Sequence, residues 1–359
     1  MTQRIFLTVI LPEHLIAKYK LSFAACNFSF NLMSGEGFDN VYSILPLYVG
    51  GEMGAEAFHD SRFELVYDKL RKKGGIWQKL AVLKEQWTVF KKIPKGSSIW
   101  FYNLTTLNAF LFILLKMFKR SVQLNVIVLD FTPINSGFGL NSIYLKMIND
   151  AHGRLCLANS SLFKKENAAI LPGVVPAHNE HLPKVEIITH KFLLSGMLSE
   201  EIAQTSMVLE AFSMLPKCEL HITGSHNMDN VKEYADKYSN IFYYEQLNYA
   251  DYLELLHSIT FQLSTRDATF PENQCNFPSK IIEALLHNRA IVSTIQYPQL
   301  EGINYFKVAS NVKEFIRDIE KMVSISDDEL KLYVNQGKKV KKMFSTEVWN
   351  KVMLKIENV

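Results

Sequence analysis

The second half of the chain alternates short apolar runs with amphipathic stretches at a regular spacing. Short strands are predicted at 192–196, 219–223, 241–244, 259–264 and 291–294. Helices are predicted around 200–214, 229–238, 249–258, 277–286, 311–323, 327–343 and 346–357. Strands and helices that alternate in this way form right-handed βαβ units, which build a parallel sheet with helices on both faces.

The first half shows the same order of elements with less regular spacing. Strands are predicted at 4–11, 40–49, 63–67, 98–102, 124–129 and 154–159. Helices are predicted at 16–33, 75–90, 107–118 and near 140–150. Because 359 residues exceed the size of one typical domain, we expect two α/β domains.

The composition is that of a globular protein, with 48% hydrophobic and 21% charged residues. The four cysteines lie far apart and form no CxxC motif, which argues against a zinc site or a disulfide framework. Widely spaced cysteines of this kind indicate a reducing, cytoplasmic compartment. The apolar run at the start is short and soon reaches Pro12, so we predict a buried first strand and not a signal peptide.

Charge is distributed unevenly along the chain. Residues 1–180 carry 20 Lys+Arg against 13 Asp+Glu, whereas the remainder is net acidic. The basic runs at 69–73, 91–95 and 116–120 lack a nucleic-acid reading motif, so no nucleic-acid partner is expected. The apolar helix at 107–118 is too short to span a bilayer. It is either a core helix or a contact with an anionic membrane surface.

Two glycine clusters lie in the first half. Gly35 and Gly37 follow a predicted helix, which favours a helix C-cap over a phosphate loop, because phosphate loops precede helices. The segment 50–54 is predicted to be a flexible loop.

The segment 276–294, NFPSKIIEALLHNRAIVST, predicts a helix followed by a strand. Pro278 suits the first helical turn, and Asn276 is a candidate N-cap. A helix N-terminus favours an anionic phosphate, to which Ser279 and Lys280 would add a hydroxyl and a cation. Glu283 lies one turn further on and could hold a ribose diol. The alternative is a capped amphipathic helix with an exposed Lys–Glu pair.

Other polar or small residues lie where predicted strands end. Ser195-Gly196 and Gly224-Ser225 follow two strands, and small residues there let a diphosphate approach the backbone. Asp130 follows the strand at 124–129, where α/β proteins place functional groups. The alternative for Asp130 is capping of a turn before Pro133. Arg266 lies just beyond the strand ending at Ser264 and is either a diphosphate ligand or a solvated loop residue.

The run Phe277-Pro278-Ser279-Lys280 with Glu283 resembles the nucleotide-sugar-binding segment of family 4 glycosyltransferases. The resemblance covers roughly residues 185–325, and the first half matches only in the order of elements. It implies an α/β GT-B fold, in which two Rossmann-like, doubly wound parallel-sheet domains face a cleft. It further implies an acceptor domain at 1–175, a donor domain at 176–345 and a C-terminal helix, 346–359, that packs back on the first domain.

The resemblance also implies a function. It is that of a metal-independent, retaining transferase that moves a sugar from a nucleotide-diphosphate sugar to a saccharide or lipid-linked acceptor. No cofactor is implied, and the setting would be surface polysaccharide synthesis at the inner membrane surface. The candidate catalytic residues are Asp130, Lys280 and Arg266. The candidate donor-binding residues are Ser195, Gly196, Gly224, Ser225, Asn276, Phe277, Pro278, Ser279, Lys280 and Glu283.

The chain departs from the family pattern at several positions. Leu129 stands where many members carry a histidine before the aspartate, and the segment 197–201 lacks the usual Arg and Lys that grip the diphosphate. Glu272 lies eleven residues before Glu283, whereas the paired glutamates of the family are usually eight apart. These departures leave open a catalytically silent GT-B protein that binds a nucleotide or assists a partner. A nucleotide-sugar epimerase of the same fold is a further alternative, although no convincing acid/base set is present.

Overall fold

The computed structural model describes residues 2–16, 18–49, 60–133, 139–176 and 187–359. The loop predicted at 50–54 lies outside these residues. The chain divides into two compact units. The first contains Met1–Ala177, Cys275–Phe277 and Phe344–Val359, and the second contains His178–Gln274 and Pro278–Met343.

The first unit is built on a parallel sheet of seven strands within the described residues, in the order β3-β2-β1-β4-β5-β6-β7. The strands are β1 (Arg4–Thr8), β2 (Asn40–Ser43), β3 (Glu64–Leu65), β4 (Ser98–Tyr102), β5 (Gln123–Val128), β6 (Gly153–Cys156) and β7 (Ala168–Ile170). The central strands β1 and β4 are buried along their full length, as expected for a sheet covered on both faces.

Helices accompany these strands in the first part of the chain. They are α1 (Glu13–Ile16), α2 (Phe23–Met33), α3 (Gly75–Lys92), α4 (Ala109–Phe118) and α5 (Leu140–Asn149). A 3-10 helix, Lys69–Lys73, precedes α3. In the described part of the chain, no helix is both long and apolar enough to cross a membrane.

The second unit is built on a parallel sheet in the order β10-β9-β8-β11-β12-β13. The strands are β8 (Lys191–Met197), β9 (Glu219–Ser225), β10 (Ile241–Tyr243), β11 (Phe261–Ser264), β12 (Ala290–Ser293) and β13 (Phe306–Lys307). The strand order reverses between β8 and β11, and open α/β sheets bind ligands at the carboxyl edge of such a switch point. The loops that follow β8 and β11 are therefore the expected place for a ligand in this unit.

The remaining helices lie in the second half of the chain. They are α6 (Glu200–Ala203), α7 (Thr205–Ser213), α8 (Met228–Lys237), α9 (Tyr249–His257), α10 (Pro271–Cys275), α11 (Ser279–Leu286), α12 (Val312–Val323), α13 (Asp327–Val334), α14 (Gly337–Phe344) and α15 (Thr346–Glu357).

The alternation predicted from the sequence is confirmed, with corrections at element boundaries. The strand predicted to run to residue 49 ends at Ser43, since Pro46 lacks the N–H that a continuing strand would need. The helix predicted at 200–214 breaks at Gln204, which adopts a left-handed conformation. The helix predicted at 327–343 is two helices that meet at 335–336.

Helix α15 packs within the first unit, and this explains the glycines near residue 35. A Cβ added to Gly35 would lie 2.7 Å from the Cβ of Thr346, and one added to Gly37 would lie 2.0 Å from Asn350. The cap of α2 is Ser34, so the predicted role of the glycine pair as a helix C-cap is wrong. The two glycines are required because α15 approaches the backbone closely.

Candidate functional site

The ends of β8 and β9 form a tight glycine pair. Gly196 and Gly224 are register partners, and both adopt positive φ angles, +110° and +155°. A Cβ on Gly224 would lie 1.9 Å from the carbonyl oxygen of Gly196, so no larger residue fits there. The two strand ends therefore lack a Cβ at the carboxyl edge of the sheet, which lets the backbone of β8 and β9 pack closely there and leaves room beside Gly196 for the side chain of Lys280.

Helix α11 begins beside this edge without a side-chain cap. Its N-cap is Pro278, which makes no side-chain capping bond, so the proposed N-cap role of Asn276 is wrong. The helix is anchored by its apolar residues, which are buried (Ile281, Ile282, Ala284, Leu285 and Leu286). An uncapped N-terminus with a buried apolar face is the arrangement that holds an anion at the helix start.

Lys280 reaches back from the first turn of α11 to the end of β8. Its Nζ donates to the Ser195 hydroxyl at 3.0 Å and lies 5.1 Å from the centre of the Tyr252 ring. A Cβ on Gly196 would lie 3.1 Å from this ammonium group. Burial lowers the pKa of Lys280 to about 8, and the Glu283 carboxylate partly opposes that shift. Lys280 is therefore a desolvated cation next to bare backbone and a hydroxyl.

Glu283 is held by two tyrosines of α9. Tyr249 donates its hydroxyl to Oε1 and Tyr252 donates to Oε2, both at 3.1 Å. Burial and the neighbouring carboxylate raise the pKa of both tyrosines, so both remain donors near neutral pH. Each carboxylate oxygen has a second lone pair. Glu283 is thus fixed in place and still able to accept two further hydrogen bonds.

Gln262 on β11 adds a buried amide to this corner. Its Nε2 donates to the Leu193 carbonyl at 3.1 Å and lies 3.3 Å from the Ser195 hydroxyl. Its Oε1 is buried and, among the described residues, has no hydrogen-bond partner. The Ser195 hydroxyl is consequently oriented by Lys280 and Gln262 together.

Ser225, at the end of β9, contacts His226. The Ser225 hydroxyl lies 3.1 Å from Nδ1 of His226, and His226 and Asn227 both have positive φ. The backbone directly after β9 is therefore in the left-handed conformation at two successive residues before α8 begins.

Arg266 and Asn276 make other contacts. Nη1 of Arg266 donates to Asn273 at 2.9 Å, and its backbone N–H donates to Thr294 at 2.7 Å. Asn276, together with Phe277, belongs to the first unit. Its carboxamide accepts from the N–H of Phe131 at 2.7 Å and donates to the Phe131 carbonyl at 3.2 Å. The catalytic role predicted for Arg266 and the donor-binding roles predicted for Asn276 and Phe277 stay predictions.

The first unit contains a separate cavity of about 160 Å³ near the carboxyl ends of β1 and β4. It is lined by Val9, Leu21, Ser22, Ala25, Cys26, Tyr48, Tyr102, Asn103, Thr105 and Leu107. Burial raises the pKa of the Cys26 thiol to about 11, so this thiol is uncharged at neutral pH. Asp130 is exposed after β5, and its charge contributes to the raised pKa of Tyr102. Asp130 therefore interacts electrostatically with Tyr102, which lines this cavity.

The sequence predicted the glycines at the ends of β8 and β9 and the start of α11, but it did not identify the side chains that support them. Tyr249, Tyr252 and Gln262 were assigned only to a helix and a strand. The available signal was the spacing of the two tyrosines, three residues apart on one helix face. Among the residues described, no group of three or more His, Cys, Asp or Glu side chains is placed to hold a metal ion.

No protein-family model matches the chain, and no curated protein matches it by sequence. Solved structures match it by shape. Sucrose-phosphate synthase from Thermosynechococcus elongatus gives a TM-score of 0.66 at 10% identity, over 100% of this chain and 98% of the other. AviGT4, a glycosyltransferase involved in avilamycin A biosynthesis, gives a TM-score of 0.62 at 12% identity, covering 100% and 97%.

TarM of S. aureus, in a complex with fondaparinux, α-GlcNAc-glycerol and UDP, is also similar. It gives a TM-score of 0.55 at 17% identity over 77% of this chain, and the match spans only 59% of the TarM chain. At these identities the similarities establish the fold. The chain has two Rossmann-like, parallel-sheet domains of the GT-B type, as the sequence predicted.

Proposed function

We propose that the protein is a glycosyltransferase that takes a sugar from a nucleotide-diphosphate donor bound in its second unit. The observation that carries this proposal is the contact of Lys280 with Ser195 at 3.0 Å, beside the uncapped start of α11 and the Gly196–Gly224 pair. A cation, a hydroxyl and free helix N–H groups next to bare backbone suit a diphosphate. The similar GT-B structures support the same interpretation, since the TarM complex contains UDP.

Different side chains of the second unit would bind different parts of the donor. Lys280, Ser279 and Ser195 would hold the diphosphate, and the glycines would let it approach the backbone of β8 and β9. Glu283 would accept both hydroxyls of the ribose, since Tyr249 and Tyr252 fix its carboxylate. Transfer leaves negative charge on the departing diphosphate, and the Lys280 ammonium would stabilise that charge. Arg266 would add a second cation once released from Asn273.

The acceptor would bind to the first unit. The cavity lined by Tyr102 and Asn103 is of a size to take part of a saccharide, and Asp130 would supply a polar group near it. In keeping with the family 4 resemblance of the segment 277–283, we propose a retaining, metal-independent reaction on a saccharide or lipid-linked acceptor in surface polysaccharide synthesis.

The direct test is turnover. Purified protein is incubated with UDP-, GDP-, ADP- and dTDP-sugars, with oligosaccharide and polyprenyl-linked saccharide acceptors, and nucleoside diphosphate release is measured. We expect acceptor-dependent release with one base, and a product that keeps the anomeric configuration of the donor by NMR. Interconversion of a free nucleotide sugar without acceptor would instead identify an epimerase.

A catalytically silent nucleotide-binding protein is the second candidate. It is favoured by the contact of Arg266 with Asn273 and by the acidic segment 197–201, where the family carries a basic pair. Tight binding of a nucleotide with no turnover of any donor in the panel would support this alternative.

Replacing Glu283 by alanine is expected to remove discrimination between ribose and deoxyribose. A hydrogen bond to a charged group contributes about 1.5–3 kcal/mol, so the native protein should prefer a nucleoside diphosphate over its 2′-deoxy form by roughly tenfold or more. Calorimetric titration of both ligands measures this ratio. The exposed Glu254 on α9 provides a matched control, Glu254→Ala, which should keep the preference. Equal preference in native protein and Glu283→Ala would remove Glu283 from the ribose site.

Nucleotide affinity is expected to fall as the pH rises through about 8. The free Lys280 ammonium titrates there, and a bound diphosphate would raise its pKa, so binding favours the protonated form. Above pH 8 the dissociation constant should rise by up to about tenfold per pH unit until the bound form titrates. The tyrosines at Glu283 have raised pKa values and stay neutral over this range. Lys280→Arg should give a flat profile between pH 7 and 9.5, because arginine stays charged. A flat profile in the native protein would contradict the assignment.

A further inference from the structure

We propose that one face of α3, continued onto α4, docks on an anionic lipid bilayer. The proposal rests on a set of exposed apolar residues that we call the α3 stripe. It consists of Ile76, Leu80, Leu83 and Trp87. These residues recur at intervals of four, three and four, so they lie along one face of the helix. All four are exposed, from 68% for Ile76 to 42% for Trp87. This inference does not depend on the proposed sugar transfer.

The α3 stripe is distinct from the apolar face that attaches α3 to its unit. That second face consists of Ala81, Val82 and Val89, with Glu85 and Gln86, and all of these are buried. A surface helix ordinarily has one apolar face and one polar face. Helix α3 has an apolar face on each side, so the outward one has no role in holding the unit together.

Aromatic contacts connect the α3 stripe to helix α4. We call the α3 stripe together with the exposed apolar residues of α4 the patch. The Trp87 ring stacks on Phe90 with centroids 5.1 Å apart, and Phe90 meets Phe118 edge-on at 6.5 Å. On α4, Ile113, Met117 and Phe118 are exposed, whereas other apolar residues of that helix, such as Leu111 and Leu115, are buried. The ring contacts connect the α3 stripe to the exposed Phe118 of α4, and exposed apolar surface of this kind marks protein or membrane contacts.

Positive charge surrounds the patch. Residues 69–95 contain nine Lys and Arg, of which Arg71 is buried against Glu85. Lys84 and Lys92 form ion pairs with Asp68 and Glu64, and the other six lysines are exposed. Lys73 lies over the Trp77 ring at 5.1 Å, and Lys91 lies over the Trp87 ring at 5.7 Å. Apolar side chains bordered by tryptophans and lysines are the composition of a surface that lies in the headgroup region of a bilayer. The charge selects anionic lipids as the occupant, because each lysine near such a surface strengthens binding.

The sequence provides an internal reporter for this proposal. The chain has four tryptophans. Trp77 and Trp87 lie exposed on α3, whereas Trp100 and Trp349 are fully buried. Vesicles of phosphatidylcholine with phosphatidylglycerol, made with and without brominated acyl chains, are titrated while fluorescence is recorded. We expect a blue shift and quenching by the brominated lipid, removed in Trp77→Phe/Trp87→Phe, with little of either from pure phosphatidylcholine.

Two variants separate the apolar and charged contributions in a vesicle flotation assay. Ile76→Ser/Leu83→Ser should lower partitioning at least tenfold, since partial burial of each side chain in the bilayer is lost. Lys72→Gln/Lys73→Gln/Lys79→Gln should lower it by about fivefold per lysine, or roughly a hundredfold. The control is Leu354→Ser, an exposed leucine on α15 in the same unit, which should partition as the native chain does.

Several results would overturn the proposal. One is failure of the native chain to bind anionic vesicles at low salt, and another is quenching that persists in the tryptophan double variant. Equal loss of partitioning in Leu354→Ser would place the contact elsewhere. If sedimentation shows concentration-dependent dimers that Ile76→Ser/Leu83→Ser dissociates, the patch is an interface between two copies and the lipid assignment is wrong.

Discussion

Replacing Lys280 by methionine is expected to slow sugar transfer about 10²–10³-fold, the loss typical of removing one group that stabilises transition-state charge. Lys280 Nζ lies 3.0 Å from Ser195 Oγ, at the start of α11 and next to Gly196. The guanidinium of Arg266, the other candidate cation, bonds to Asn273 instead. The measurement is steady-state release of nucleoside diphosphate with saturating donor.

A matched control exists in the same unit. Lys307 on β13 is also a lysine with a pKa lowered by burial, and it donates to the Thr294 carbonyl. Lys307→Met should leave turnover nearly unchanged, although it can lower stability. If Lys280→Met and Lys307→Met have equal turnover, the leaving diphosphate is stabilised by another group and the assignment of Lys280 fails.

Replacing Arg71 by methionine is expected to destabilise the protein by about 3–5 kcal/mol, because it leaves a buried carboxylate without its partner. The Arg71 guanidinium is fully buried and forms two hydrogen bonds with Glu85, both at 2.7 Å. It also donates to the carbonyls of Leu45, Pro46 and Val49. Burial raises the pKa of Glu85, and the Arg71 guanidinium opposes that shift.

Chemical denaturation of the native and variant chains measures this effect. Lys72→Met changes the exposed neighbour in the same basic run and should stay within about 0.5 kcal/mol of native. The double variant Arg71→Met/Glu85→Leu should recover much of the loss, since it removes the orphaned charge. Equal stability of Arg71→Met and Lys72→Met would show that the buried pair contributes nothing to the fold.

The sheets could be predicted because their information is local. Buried strands such as β1 and β5 are short apolar runs, and their alternation with helices implies that the strands pair in parallel. The glycines at the ends of β8 and β9 could be identified for the same reason. The contact of Gly224 with the Gly196 carbonyl, however, depends on strand pairing and not on either local pattern.

The side chains of the candidate site were less predictable. Lys280 and Glu283 are three residues apart, so an exposed pair was the alternative to their predicted place in a donor site. In the structure each bonds elsewhere, Lys280 to Ser195 and Glu283 to the tyrosines of α9. Ser195 is 85 positions away from Lys280, and only the order β8-β11 brings them together. Arg71 lies in the basic run 69–73, and its burial could not be predicted for a similar reason, since its partner Glu85 comes from the next helix.

Helix α3 shows a second limit of prediction from the sequence, which concerns the face that a helix exposes. A helix with one apolar face gives a clear period, whereas apolar residues on two opposite faces blur that period. The stretch was therefore predicted as a helix, but its outward stripe could be recognised only once Ala81, Val82 and Val89 were seen to face the core.

The most direct test of the account is nucleotide binding by the second unit. Thermal unfolding is followed with UDP, GDP, ADP and dTDP for the native chain, Lys280→Met and Glu283→Ala. A ligand at one hundred times its dissociation constant should stabilise the native chain by about 2.7 kcal/mol. We predict stabilisation by one base, reduced by about half or more in both variants, because a tenfold loss of affinity lowers it to about 1.4 kcal/mol at the same ligand concentration. If no nucleotide stabilises the native chain, or if the variants respond as the native chain does, the donor site at α11 is contradicted.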